Sequence, residues 1–261
     1  MNLSTSEEYE LTTAKIEAQQ WTAAEFQRLV VEGKPKVAVF DCDGTLWSGD
    51  AGYGFMAWSL EQGLVSRSTA DWVDNRYRAY RAGNVSEPDM CGEMVQMYAG
   101  LREEELREAA ARYFSEFVQP RIFPELVQAI ESLRAIGTDI WAVSSTNRWV
   151  IAEGVRGFGI PPERILAADV RVKNGMISDE IVDVPTGEGK ALALKRVGLP
   201  HPGAVFGNSI HDLAMLEMAT RAFPVNPSPA LLQAAARHGW GYFRPATADP
   251  LIAVDGEGPL T

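Results

Sequence analysis

Apolar and polar positions along the chain follow two periods, and the alternation between them sets out the elements. Val37-Ala38-Val39-Phe40 is an unbroken apolar run of strand length that stops abruptly at Asp41-Cys42-Asp43-Gly44. A run without polar alternation suits a strand covered on both faces, as in a parallel α/β sheet. Asp139 to Val143, Arg164 to Ala168, Gly203 to Phe206 and Ala222 to Val225 read as further strands, and Gly239 to Phe243 as an edge strand. Helical spacing lies between them. Thr22-Ala23-Ala24-Glu25 has the spacing of a capping box, Phe26, Leu29 and Val30 then share a face, and Gly33 and Pro35 end the helix. Pro124 to Ile136 is amphipathic through Leu126, Ile130 and Leu133, with Gly137 as its stop. Helices also read over Arg148 to Phe158, Gly187 to Val197, Asp212 to Ala219 and Pro229 to His238. Asn174-Gly175 marks a hairpin of type I′ between Arg171 and Ser178.

One block breaks the alternation. From Phe55 to Val118 the pattern is helical throughout, with Ser68 to Asp71 and Ser86 to Asp89 as caps and a third helix from Arg102. The pattern therefore predicts an α/β protein: a Rossmann-like parallel-sheet core over residues 34–50 and 119–261, an inserted all-helical cap domain over 51–118, and an N-terminal helical arm over 1–33. Glycines 49, 52 and 54 make Trp47 to Gly54 a plausible hinge between core and insert.

Composition narrows the class of partner. With 261 residues and 46% hydrophobic side chains the chain is long enough for such a two-part domain. Its net charge of -11 disfavours nonspecific contact with nucleic acid or an anionic membrane. The two cysteines cannot build a disulfide framework, and Cys42, flanked by carboxylates, reads as a small buried residue rather than a thiolate. No run reaches the roughly 18 apolar residues of a membrane span, and Met1 to Gln20 lacks a signal-peptide pattern. The expectation is a cytoplasmic protein whose partner is a small molecule.

The chemistry sits where strands end. Asp41 and Asp43 point to one side of the chain, one pleat apart. Two close carboxylates repel each other and favour a hard cation such as Mg²⁺. With their charge neutralised, one can attack an electrophile and the other can carry a proton. Ser144 and the pair Asn208/Asp212 follow two other strands. Parallel strands lie about 4.8 Å apart, so these ends can converge. Taken singly, Ser144 is also readable as a helix cap, Lys190 as surface charge and Asp212 as the acid at a helix N-terminus.

Four segments in order resemble the haloacid dehalogenase superfamily, in its phosphoserine-phosphatase-like branch. They are Phe40-Asp41-Cys42-Asp43-Gly44-Thr45-Leu46, Val143-Ser144, Lys190 at a helix start, and Gly207-Asn208-Ser209-Ile210-His211-Asp212-Leu213-Ala214-Met215-Leu216. The tail from Val225 to Trp240 shares the likeness. The resemblance implies a Mg²⁺-dependent phosphomonoesterase working through an aspartyl-phosphate. It makes Asp41 the nucleophile, Asp43 the general acid and base, Ser144 a phosphate donor and Lys190 the balancing ammonium. Ser145 and Thr146 would line the phosphate site. Asp41, Asp43, Asn208 and Asp212 would hold the metal, with Asn208 standing where many relatives have Asp. His211 stands where Asn is common, as an orienting or rim residue.

The resemblance also makes the insert a mobile cap that selects substrate. Asp50, nine residues after Asp41, matches an acid that receives a substrate amine, whereas Met94 falls where phosphoserine phosphatases carry a carboxylate-binding arginine. Trp47, Tyr53, Phe55, Met56, Trp58, Met90, Met94, Met97 and Tyr98 form either the cap's own core or an aromatic pocket for an amine or choline-type phosphate. Two other functions share the fold: a phosphotransferase, and a non-catalytic binding protein whose metal site Asn208 has weakened.

Overall fold

The structure is a computed structural model, described here for residues 17–248. Its frame is a six-stranded sheet in the order β5-β4-β3-β2-β6-β7, formed by β2 (Val37–Phe40), β3 (Asp139–Asn147), β4 (Ile165–Lys173), β5 (Met176–Asp183), β6 (Ala204–Gly207) and β7 (Arg221–Pro224). All neighbours are parallel except the edge strand β5, which runs antiparallel to β4. β2 lies between β3 and β6, so the strand order reverses there. A crevice at such a switch point, at the carboxyl ends of the strands, is where α/β sheets gather ligands. Asp41 is the first residue past β2.

Helices cover both faces. Ala38 and Phe40 of β2 face one apolar layer, and Val39 faces the other, with Val205, Leu194, Met215 and Leu231. α6 (Pro124–Ala135) and α7 (Arg148–Arg156) pack into the first layer, while α8 (Glu188–Arg196), α9 (Leu213–Glu217) and α10 (Pro229–His238) pack into the second. Phenylalanines tie the sheet together: Phe40 stacks on Phe206 at 4.1 Å, and Phe206 on Phe223 at 4.6 Å.

The start of the described chain belongs to this layer rather than to a separate arm. β1 (Gln20–Trp21) pairs in parallel with β8 (Tyr242–Phe243). α1 (Ala23–Val31) opens on the expected Thr22/Glu25 capping box. Phe26 is fully buried and stacks on Phe243 at 4.2 Å. The rest of the expected arm, residues 1–16, lies outside the described residues.

Between β2 and β3 the chain forms α2 (Ala51–Glu61), α3 (Arg67–Arg81), α4 (Glu87–Gln96) and α5 (Glu103–Tyr113), and α5 widens into a π turn over Phe114–Val118. Ser86 caps α4 as expected, but α3 starts earlier: Ser66, not Ser68, accepts the Thr69 amide. The hairpin turns at Asn174 and Gly175, both with positive φ, and its arms extend into the full lengths of β4 and β5.

Two of the three glycines after Trp47 serve close packing. Gly52 and Gly54 sit inside α2, and a Cβ on Gly54 would lie 2.0 Å from the Tyr113 hydroxyl of α5. In an open helix, Ala is better than Gly by about 1 kcal/mol. Here Gly54→Ala is expected to destabilise the protein by about 1–3 kcal/mol through overpacking. Adding Tyr113→Phe should restore at least half of the loss in a denaturant titration. A Gly54→Ala variant more stable than its parent would contradict this packing account.

Candidate active site

The site is built outward from one buried ammonium. Lys190, in the first turn of α8, is 3% exposed. Its Nζ donates to Asp41 Oδ1 at 2.7 Å and to Asp212 Oδ1 at 2.6 Å. Burial alone would drive this ammonium towards neutrality; the Asp212 and Asp41 carboxylates override that and hold its pKa above the usual lysine value. Burial pushes Asp41 up to about 7, with Asp212 adding to the rise, while Lys190 and the Thr45 hydroxyl, 2.7 Å from Oδ2, pull the other way. Two carboxylates share one ammonium, so the cluster carries an excess negative charge.

Asp212, expected to anchor an ion directly or through water, is held here by Lys190 and two main-chain amides. Its Oδ1 takes Lys190, and its Oδ2 accepts the main-chain amides of Asn208 and Ser209 at 2.9 and 3.0 Å. It also completes a capping box with Ser209. Asn208 remains beside the catalytic turn. Gly44 has a φ of +74°, and a Cβ there would fall 2.0 Å from Asn208 Nδ2, so the amide lies directly against the Asp41–Gly44 turn. Among the described residues, no group of three or more His, Cys, Asp and Glu side chains is arranged to hold a metal ion.

Asp43 has its own set of donors. Trp47 Nε1 and the Ala51 amide donate to Oδ1 at 2.7 and 2.8 Å, and the Thr146 hydroxyl donates to Oδ2 at 2.6 Å. Burial first, and Asp50 second, push the Asp43 carboxyl up to about 6 against these bonds. Two residues expected at the substrate are therefore props for Asp43. Trp47 is fully buried, its ring edge-on to Phe114 at 5.3 Å, and Thr146 is 7% exposed. Ser144 is buried at the end of β3, where its Oγ accepts the Thr146 amide. Ser145 is half-buried and meets the thiol of Cys91 on α4.

The cap residues divide. Phe55, Met56, Trp58, Met90, Met97 and Tyr98 are buried in the cap's own core, and Met94 is half-buried against it. Asp50 and Tyr53 stay accessible at the junction, where Asp50 caps α2 by accepting the Tyr53 amide at 2.8 Å. Tyr77 and Tyr80 of α3 join them, though the pattern had not singled them out. Tyr53 stacks on Tyr77 at 4.7 Å, with Tyr80 6.0 Å beyond. Burial, then Asp50 and Tyr53, raise Tyr77 to about 12; burial, Glu87, Cys91 and Asp50 do the same for Tyr80. Partial desolvation at the junction also raises the Asp50 carboxyl, with Glu87 and Asp41 adding to it. This junction is aromatic and electronegative. Two recesses of the surface lie elsewhere: one of about 360 Å³ runs past Lys34, Lys36 and His201 at the opposite end of the sheet, and one of about 180 Å³ lies beside α6.

Carboxylates, a hydroxyl and a lysine thus gather near the switch point of the doubly wound sheet, where such folds bind ligands. Residues 38–217 match the family of haloacid dehalogenase-like hydrolases, and the chain belongs to that family. A histidinol-phosphatase of Neisseria meningitidis serogroup C (strain 8013) is 25% identical over 215 residues, covering 78% of this chain and 96% of its own. A probable phosphatase of Mycobacterium tuberculosis (strain H37Rv) is 26% identical over 212 residues, covering 78% of this chain and 73% of its own. Among solved structures, a protein of unknown function from Bordetella pertussis Tohama I superposes with a TM-score of 0.70 at 24% identity, over 79% of this chain and 97% of its own. A substrate-bound phosphoserine phosphatase superposes with a TM-score of 0.57 at 16% identity, over 83% and 96%. The family match makes the chain a haloacid dehalogenase-like hydrolase, and phosphatases stand among its relatives. No helix among the described residues is long and apolar enough to cross a membrane.

The raised carboxyl at Asp43 has a measurable cost. Its folded pKa exceeds the unfolded one, so ionisation opposes folding. The penalty is absent below about pH 4, grows through pH 6 and is complete above it. Asn fits the same donors if the Thr146 hydroxyl reverses. In chelator-treated buffer, Asp43→Asn should match its parent near pH 4 and exceed it by about 2–3 kcal/mol at pH 8, at about 1.4 kcal/mol per unit. A stability difference that does not change with pH would remove the electrostatic explanation.

Proposed function

We propose that the chain hydrolyses a small phosphomonoester through a phosphorylated Asp41, and that the ester carries a positive charge on its alcohol portion. The observation that carries the reading is the Lys190 bridge, which holds Asp41 buried and oriented at the switch point. In the first step an Asp41 oxygen attacks phosphorus. The ester P–O bond breaks, and the departing alkoxide takes a proton from Asp43. In the second step water attacks the phosphoaspartate, gives its proton to Asp43 and releases inorganic phosphate with Asp41 restored. A carboxyl raised to about 6 can hold that proton and return it near neutral pH. Ser144 and Lys190 supply the fixed donor and the positive charge that a phosphoryl group meeting a carboxylate requires.

The donor set suits Mg²⁺. Asp41, the Asp43 main-chain carbonyl and Asn208 would hold it. An ion that keeps several waters and takes oxygens from substrate phosphate needs only one or two carboxylates. Such an ion would offset the excess negative charge at Asp41 and polarise the phosphoryl group. With Asn208 neutral, affinity is expected to depend on the substrate.

The cap junction supports a cationic leaving group. Asp50 and the rings of Tyr53, Tyr77 and Tyr80 offer charge and π faces to an ammonium, imidazolium or quaternary amine. The histidinol-phosphatase relative fits this class by its name.

Phosphate release from a panel of esters, with Mg²⁺ and with chelator, tests the reading. Asp41→Asn should lose at least a thousandfold. Phosphoethanolamine, phosphocholine and amino-alcohol phosphates should exceed a neutral alkyl phosphate. Asp50→Asn should raise KM for the cationic esters about tenfold and leave the neutral one unchanged. Equal turnover of charged and neutral esters would refute the cationic class. Turnover that appears only in Asn208→Asp would favour the binding-protein alternative.

A further inference from the structure

Helix α4 is the part of the cap that sits on the catalytic core. Cys91 meets Ser145, the residue after Ser144. A Cβ on Gly92 would touch Ile181 and Val184 at 3.4 and 3.6 Å, and Gln96 donates to the Asp179 carbonyl at 2.7 Å. Glu87 lies in the first turn of the same helix, one turn before Cys91.

The Glu87 carboxylate reaches two core loops at once. Oε1 accepts the Thr186 hydroxyl, and Oε2 lies 2.5 Å from His211 Nδ1. The Glu87 side chain is 16% exposed and Thr186 is 5% exposed. Thr186 ends the segment that turns into α8: its carbonyl accepts the Gly189 amide at 2.8 Å, one residue before Lys190. His211 directly precedes Asp212. One carboxylate from the cap therefore spans the two segments whose next functional residues form the Lys190–Asp212 ion pair. The Thr186 bond is a hydrogen bond and the His211 contact an ion-pair approach, and lifting α4 off the core breaks both together.

We infer that Glu87 is a positioning residue that couples seating of the cap to the placement of Lys190 and Asp212. It touches neither substrate nor the reacting atoms. It makes the assembled charge cluster depend on a shut cap. The kinetic part of this inference rests on the phosphomonoesterase reading; the structural part does not.

Glu87→Ala and Glu87→Gln, compared with the parent by amide hydrogen exchange and steady-state kinetics, test it. In Glu87→Ala, amides at 186–190 and 209–213 should exchange at least tenfold faster, with β2 and α10 unchanged. Its kcat should fall at least tenfold while KM moves less than threefold. Glu87→Gln, which keeps an acceptor for Thr186, should recover part of both effects. Unchanged exchange in the two loops overturns the coupling. Faster exchange with kcat within twofold of the parent overturns the positioning role. If Glu87→Ala loosens the whole chain, Thr186→Val, which removes one of the two bonds, is read by the same criteria. If the parent turns over no phosphomonoester, the functional reading falls, and the exchange comparison alone decides the coupling.

Discussion

The structure depends on the shared bond between Lys190 and the carboxylates of Asp41 and Asp212. Three charges from distant parts of the sequence, one just past a strand and two at helix starts, are buried together. Breaking such a cluster by removing one partner typically costs about 3–5 kcal/mol, because an uncompensated charge stays behind. The rest of the fold satisfies the remaining valences. Thr45 occupies one Asp41 oxygen, and the amides of Asn208 and Ser209 occupy one Asp212 oxygen. The loops around the site are fixed by hydrogen bonds to its carboxylates, so the chemistry and the local fold share one network.

That network leaves the two proposed catalytic carboxylates in different surroundings. Asp41 faces an ammonium and a second carboxylate. Asp43 faces only neutral donors: an indole, an amide and a hydroxyl. Both pKa values rise, but a cation is at hand only for Asp41. This division suits the proposed roles, a nucleophile that must stay ionised and a neighbour that must gain and lose a proton. The buried Trp47 and Thr146 side chains supply two of the three donors to Asp43.

Much of this was legible in the chain. The apolar run ending at Asp41 located the central strand, the polar ends of other strands pointed to Ser144 and Asn208/Asp212, and Lys190 stood out only through the family resemblance, at a helix start. Partners within the cluster were harder to read. A carboxylate that binds an ion and one that binds a lysine look alike in sequence, and the lysine bridge to Asp212 shows only in the structure. The cap aromatics read as either a core or a pocket because apolar periodicity does not tell a cap's core from its mouth. Tyr77 and Tyr80 were passed over on a helix dominated by charged residues, where only their stacking on Tyr53 reveals them. Glu87 drew no notice in the sequence, because its partners lie about 100 residues or more away in the chain. The glycines of α2 suggested freedom where the tight approach of Tyr113 and Thr146 demands them.

The central claim is that Asp41 carries the phosphoryl group. Acid quench of the protein during turnover of a phosphomonoester, followed by peptide mass mapping, tests it most directly. The account predicts a phosphorylated peptide containing Asp41, formed with Mg²⁺, absent with chelator and absent in Asp41→Asn. Phosphate release that proceeds with no phosphopeptide at Asp41, or with the label on another residue, would contradict it.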